Sequence, residues 1–173
     1  TSSSYTPPST AAGTTYYRVV ISNAGNGCGS LTSNPATVII NNDISITTQP
    51  ADITECIGGT TQLSVVATGG VGTLTYQWES ATVLAGPYTT IVGATSSSYT
   101  PPSTASGTTY YRVVISNAGN GCGSVTSNAA TVIINNDISI TTQPANITEC
   151  IGGTTQLSVV ATGGVGTLTY QWE

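Results

Sequence analysis

The sequence predicts an all-β protein made of tandem sandwich domains, about seven short strands each, and three observations predict it. Apolar and polar residues alternate at a period of two in the patterned runs, clusters of Gly, Pro and Asn separate those runs, and the whole pattern returns after 94 residues. No window shows helical spacing.

The repeat sets the domain organisation. Thr1-Ser2-Ser3-Ser4-Tyr5-Thr6-Pro7-Pro8 reappears as Thr95-Ser96-Ser97-Ser98-Tyr99-Thr100-Pro101-Pro102, and over the 79 overlapping positions only four pairs differ: Ala12/Ser106, Leu31/Val125, Pro35/Ala129 and Asp52/Asn146. The polar triplets Asn41-Asn42-Asp43 and Asn135-Asn136-Asp137 follow the apolar runs Thr37–Ile40 and Thr131–Ile134 and mark the boundaries. On this reading residues 1–40 are the C-terminal part of one repeat, 44–134 a complete repeat, and 138–173 the N-terminal part of the next. Ser80 to Ala94 occurs once, and any export signal or anchor is expected outside this segment.

Within 44–134 the strands follow in order. Leu63, Val65 and Ala67 alternate with Gln62, Ser64 and Val66, then Leu74, Tyr76 and Trp78 with Thr73, Thr75 and Gln77. Turns are expected at Pro50, Gly58-Gly59, Gly69 to Gly72, Gly86-Pro87, Pro101-Pro102, Gly107 and Asn117 to Gly123. In the run Thr108 to Asn117, alternation buries either Arg112 or the set Tyr111, Val113 and Ile115. An unpaired buried guanidinium is far costlier, so Arg112 faces out. Val65 and Trp78 stand 13 residues apart, the distance from the second-strand core position to the core Trp of the third strand in an immunoglobulin-like sandwich. Trp78, Tyr111, Val65 and Val113 are therefore the expected structural core, and Tyr111 suits a tyrosine corner reaching back toward Gly107. Val65 and Val113 occupy the places where antibody domains carry their inter-sheet disulfide.

Composition excludes several functions. Only 5% of the 173 residues are charged, Lys and His are absent, and the two cations, Arg18 and Arg112, are repeat equivalents. No basic surface exists to neutralise nucleic-acid phosphates or acidic lipid, and no apolar run reaches the ~20 residues of a membrane span. Nucleophilic catalysis lacks a His or Lys base, and the carboxylates Asp52, Glu55 and Glu79 read as surface solvation, so no catalytic residue and no cofactor is expected. The net charge of −5 reads as a mildly acidic solubilising surface.

The stretches Gln49-Pro50 through Cys56-Ile57-Gly58-Gly59, Thr73 to Trp78, Tyr111 to Val114, and Cys122-Gly123-Ser124-Val125 through Thr131 together resemble the bacterial immunoglobulin-like repeats of very large secreted surface proteins and gliding-type adhesins of Bacteroidota. The resemblance covers the whole complete unit. It implies export, an extracellular or cell-surface location, and a stalk or adhesin role. It also implies a disulfide between Cys56 and Cys122, with Cys28 and Cys150 paired in neighbouring units. Closing that loop would stabilise by roughly 4 kcal/mol in the chain-entropy treatment. The competing pairing, Cys28 with Cys56 across the junction, stays open, and a Cys metal site is disfavoured by the absence of His and of C-x-x-C spacing.

Asp43 and Asp137 are calcium candidates at the junctions, with one carboxylate per triplet; no other metal is expected. Tyr5, Tyr99, Tyr88 and Tyr110 are candidates for glycan contact. The leading function is a structural stalk or filament-forming repeat of a secreted adhesin, its partners copies of itself along a filament or array. The alternatives are a glycan- or protein-binding module acting by avidity and an accessory repeat of a large secreted enzyme. Val-rich and Thr-rich edges without Lys favour association between chains.

Overall fold

The computed structural model describes residues 2–23, 25, 29–119 and 122–173 and is all-β, an immunoglobulin-like sandwich with partial copies before and after it. Ahead of the central unit come β1 (Gly13–Tyr17), β2 (Val20–Ile21), β3 (Leu31–Thr32) and β4 (Ala36–Ile40). The central unit contains β5 (Ser45–Thr48), β6 (Ile53–Cys56), β7 (Leu63–Ser64), β8 (Val66–Thr68), β9 (Leu74–Ala81), β10 (Thr89–Thr90), β11 (Ser98–Tyr99), β12 (Gly107–Asn117), β13 (Val125–Thr126) and β14 (Ala130–Asn135). Beyond it lie β15 (Ser139–Thr142) and β16 (Val160–Thr162).

One layer of the sandwich is ordered β10-β9-β12-β14-β6, with β13 on the far end of β12. Its pairings are antiparallel except the outer one, where β6 runs parallel to β14 in the register Val132↔Ile53 to Asn135↔Cys56. The other layer pairs β5 with β8 and β7 with β11, and Val65 N–H donating to Ser97 O at 3.0 Å carries the second pairing past Ser64. The chain crosses between layers at Gln49-Pro50. Pro50 is buried there and has no N–H for a ladder to lose, while Gln49 Oε1 accepts from Asn128 N–H at 2.9 Å.

The core cluster is drawn wholly from residues 44–134: Ile44, Ile53, Leu63, Val65, Trp78, Tyr111, Val113, Ile115, Ala130, Val132 and Ile134. Trp78 sits at its centre, 0% exposed, opposite Val113 in the long β9–β12 pairing. Its ring Nε1 donates to Ser96 O at 2.9 Å, so complete burial leaves no orphan donor. The indole stacks on Tyr99 at 6.0 Å, and Tyr99 tilts against Tyr111 at 5.7 Å. Val65 and Tyr111 are buried beside it, each 4% exposed. The Tyr111 hydroxyl has the Thr109 side chain as its neighbour.

The flanking segments repeat the same pieces without their complement. β1 pairs β4 from Gly13↔Ile40 to Tyr17↔Ala36, the register of β12 on β14. Yet Val19 and Ile21, counterparts of the fully buried Val113 and Ile115, are 49% and 62% exposed. Trp172, counterpart of Trp78, is 50% exposed.

Two outcomes follow. Trp78→Ala removes the centre of the core and is expected to cost about 3–5 kcal/mol, read by urea unfolding. Acrylamide quenching of the native chain should resolve one shielded and one open indole, and Trp172→Phe should leave only the shielded emission.

Candidate functional site at the junction between repeats

The polar triplets are built into the domain that follows them. Asn42 O accepts from Gly70 N–H at 2.8 Å, and the equivalent bond, Gly164 N–H to Asn136 O, is 2.7 Å. Gly69 has φ +86, and a Cβ there would strike the Asp43 carbonyl; Gly163, φ +89, stands in the same relation to Asp137. The Gly69-Gly70 turn can therefore close on the triplet only as glycine, because it needs both the left-handed backbone and the missing side chain. Ile44, directly after the triplet, enters the core at 8% exposure.

Each end of the unit carries one cysteine. Cys56 ends β6 opposite Asn135, and Ile57 N–H donates to Asn135 O at 3.1 Å, which puts Cys56 at the pole where the chain leaves for the next repeat. Cys122 follows β12 at the other pole, where Asn117 Nδ2 donates to Cys122 O at 3.0 Å and the thiol lies 3.6 Å from Asn42 O. β12 spans the 11 residues between these poles, roughly 35 Å of strand. A disulfide needs Cα atoms within about 7 Å. The Cys56–Cys122 pairing implied by the resemblance is thus corrected: both thiols are free and lie at opposite ends of the sandwich, and Cys150 is free as well. Cys28 lies outside the described residues, and with it both its own pairing in a neighbouring unit and the Cys28–Cys56 alternative.

A cleft of about 530 Å³ opens at the entry junction, between Ser9, Ile40 and Asn41 on one side and Val71 and Cys122 on the other. No group of three His, Cys, Asp or Glu side chains able to hold a metal occurs among the described residues, and Asp43 and Asp137 each bring a single carboxylate to their junction.

The tyrosines considered for glycan contact are differently employed. Tyr99 is packed between Trp78 and Tyr111, against the core, which corrects its candidacy for glycan contact. Tyr88 carries the Arg112 guanidinium 4.1 Å above its ring and donates its hydroxyl to Leu84 O at 2.9 Å. Arg112 Nε also donates to Glu79 Oε2 at 2.8 Å, so the outward-facing cation is paired. Tyr5 is 68% exposed and lies 5.4 Å from Tyr17.

Burial raises Tyr99 and Tyr111 above the ordinary phenol value of 10.0, Tyr111 further through its neighbour Tyr99 against a small opposing hydrogen bond with Thr109. A raised folded value means that the folded state holds its protons longer than the unfolded chain. The stability is therefore whole below pH ~10 and falls as pH rises through the folded values. Urea midpoints are expected to be flat through the neutral range and to drop above pH ~10, with tyrosinate absorbance growing as the chain unfolds. Gly69→Ala is expected to cost about 2 kcal/mol or more in the same assay, from strain at a positive φ and collision with the Asp43 carbonyl.

No curated protein matches the chain. Among 22 matching chains of solved structures is Sidekick-1 immunoglobulin domains 1-5, similar with a TM-score of 0.50 and 19% identity over 91% of this chain and 34% of that one. The chain thus spans about a third of that protein's structure, and the likeness shows the fold. No helix is long and apolar enough to cross a membrane among the described residues. Residues 45–136, more than half of the chain, match one sequence family over the central unit and the first two residues of its exit triplet, and the chain belongs to that family, described as Domain of unknown function (DUF8696).

Proposed function

We propose that the chain is a structural stalk or filament-forming repeat of a secreted, cell-surface adhesin, without catalysis, whose partners are further copies of the same repeat. The observation that carries this reading is the junction. The last strand of one repeat passes through four residues at the first junction and three at the second into the first strand of the next, and the Gly69-Gly70 turn, like Gly163-Gly164, clasps the junction with a backbone bond at the second Asn. A linker held in this way passes tension from domain to domain with little slack, which suits a spacer better than a set of independent binding heads. The engagement of Tyr99 and Tyr88 within the domain supports the same preference. The immunoglobulin-like fold suits adhesive and structural modules, and export follows from the resemblance in sequence.

Electron cryo-microscopy of the material under non-reducing conditions tests the proposal. A continuous fibre with an axial repeat of one or two domain lengths is expected, each domain being roughly 40 Å at about 3.3 Å per strand residue plus its turns. Flexible strings of unconnected domains would overturn it.

A further inference from the structure

We infer that a disulfide crosses each junction between consecutive repeats, joining Cys56 of one unit to the counterpart of Cys122 in the unit that follows. The bond rests on the tandem array of the preceding reading, and the mapping below reads it whether or not fibres form.

The two halves of the site are seen separately, one at each end of the central unit. At the exit, Cys56 lies opposite Asn135, the first residue of the triplet. At the entry, the Cys122 thiol lies against the carbonyl of Asn42, the second residue of the equivalent triplet. Shifting by the repeat of 94 residues brings both to one junction, against neighbouring residues whose Cα atoms are ~3.8 Å apart. Both cysteines then flank the same two adjacent backbone positions, each one contact away from them, and a disulfide bridges Cα atoms up to about 7 Å apart.

The entry cleft gives an independent indication of what is seated there. Ser9, on its wall, is the counterpart of Ser103. In the central unit Ser103 Oγ donates to Gly59 O at 2.6 Å, and Gly58 N–H donates to Ser103 O at 3.0 Å. The turn directly after Cys56 is thus held on Ser103, and the same turn of the preceding unit belongs on Ser9, in the cleft that Cys122 lines. That turn brings its cysteine with it. The bonded positions stand 160 residues apart, and no two cysteines of this chain have that spacing, so Cys56, Cys122 and Cys150 are free here for a geometric reason.

The bond forms by thiol–disulfide exchange. One cysteine thiolate attacks an oxidised disulfide reagent of the glutathione or protein-oxidoreductase class to give a mixed disulfide, and the second thiolate displaces the reagent. Two protons and two electrons leave the cysteines, and the reagent's disulfide is reduced to two thiols.

The test uses the 173-residue chain and the same chain continued in register by one more 94-residue period. Both are equilibrated in oxidised and reduced glutathione at low protein concentration, alkylated, denatured and cut with trypsin at Arg18, Arg112 and the added Arg. In the longer chain, fragment 19–112 should emerge bonded to the last fragment, skipping the middle one, while the shorter chain should be alkylated at all four cysteines. Cys56→Ser should abolish the cross-link, and Cys122→Ser should leave it intact. Fragment 19–112 bonded to the middle fragment, as a Cys56–Cys122 bond within one unit would leave it, would overturn the inference. Unlinked fragments, whether from a Cys28–Cys56 bond or from full alkylation, would overturn it equally.

Discussion

The sandwich depends on the seating of Trp78 between its two layers. Its backbone is held from both sides, N–H to Ala94 O at 3.0 Å and O from Ile91 N–H at 2.9 Å, while its ring bonds Ser96 and stacks on Tyr99. Gln77 Nε2 ties the same loop from the other face of β9, donating to Ile91 O at 2.8 Å and Trp78 O at 3.0 Å. An indole wholly removed from water contributes a large apolar area, and that burial is free of penalty only while its N–H has a partner. The partial units show that the strand sequence alone does not secure this. Tyr16-Tyr17-Arg18-Val19-Val20-Ile21 repeats Tyr110 to Ile115 residue for residue and makes the same ladder with β4, but stays open where no Trp-bearing strand covers it. Local pattern makes the strand, and its complement makes the core.

Much of this was legible in the sequence because alternation on a half-buried strand carries its own orientation. Leu63 and Val65 face in while Ser64 and Val66 do not, and the outward placement of Arg112 followed from the cost of burying a cation. Tyr99 was misjudged because β11 is two residues long, too short to show a period; it belongs to the layer opposite Trp78, and packing decided its face. The poles of Cys56 and Cys122 were hidden for a different reason. Assigning them requires knowing that the chain changes layers at Pro50 and then runs parallel to β14, and periodicity carries no signal for strand direction. The triplets were visible as boundaries, whereas their bonds to Gly70 and Gly164 arise from turns nearly thirty residues further on.

With so few charges, neutral polar side chains complete the backbone where the ladders break. Ser127 is buried between β13 and β14, and its Oγ accepts from Val113 N–H at 3.0 Å and donates to Asn128 O at 2.8 Å. Ser33 does the same for Val19 and Asn34 at 3.1 and 2.9 Å, so this device persists even where the surrounding core is incomplete. Asp52 Oδ1 accepts from Thr131 N–H, and an amide oxygen at the equivalent Asn146 could serve as well, which accounts for the tolerance of that difference between repeats. The Arg112–Glu79 pair is half-buried, Glu79 being 17% exposed, and the Tyr88 ring 4.1 Å from the guanidinium adds a cation–π contact to it.

The junction concentrates what this fold can do beyond standing alone. An immunoglobulin-like unit has its chain ends at opposite poles, so head-to-tail stacking is the arrangement that a short connection permits. Three residues between β14 and β15 leave few free torsions, and the bond at Asn136 O removes more of them. In the proposed array, stiffness would come from backbone contacts at glycine rather than from a large apolar interface, which a chain with this composition would have to expose whenever a neighbour was missing. Because the clasp belongs to the following domain and the cysteine-bearing turn to the preceding one, every junction draws on both neighbours. A repeat that changed independently at either pole would lose its fit with both, and this coupling gives a physical reason for near-identity between successive units.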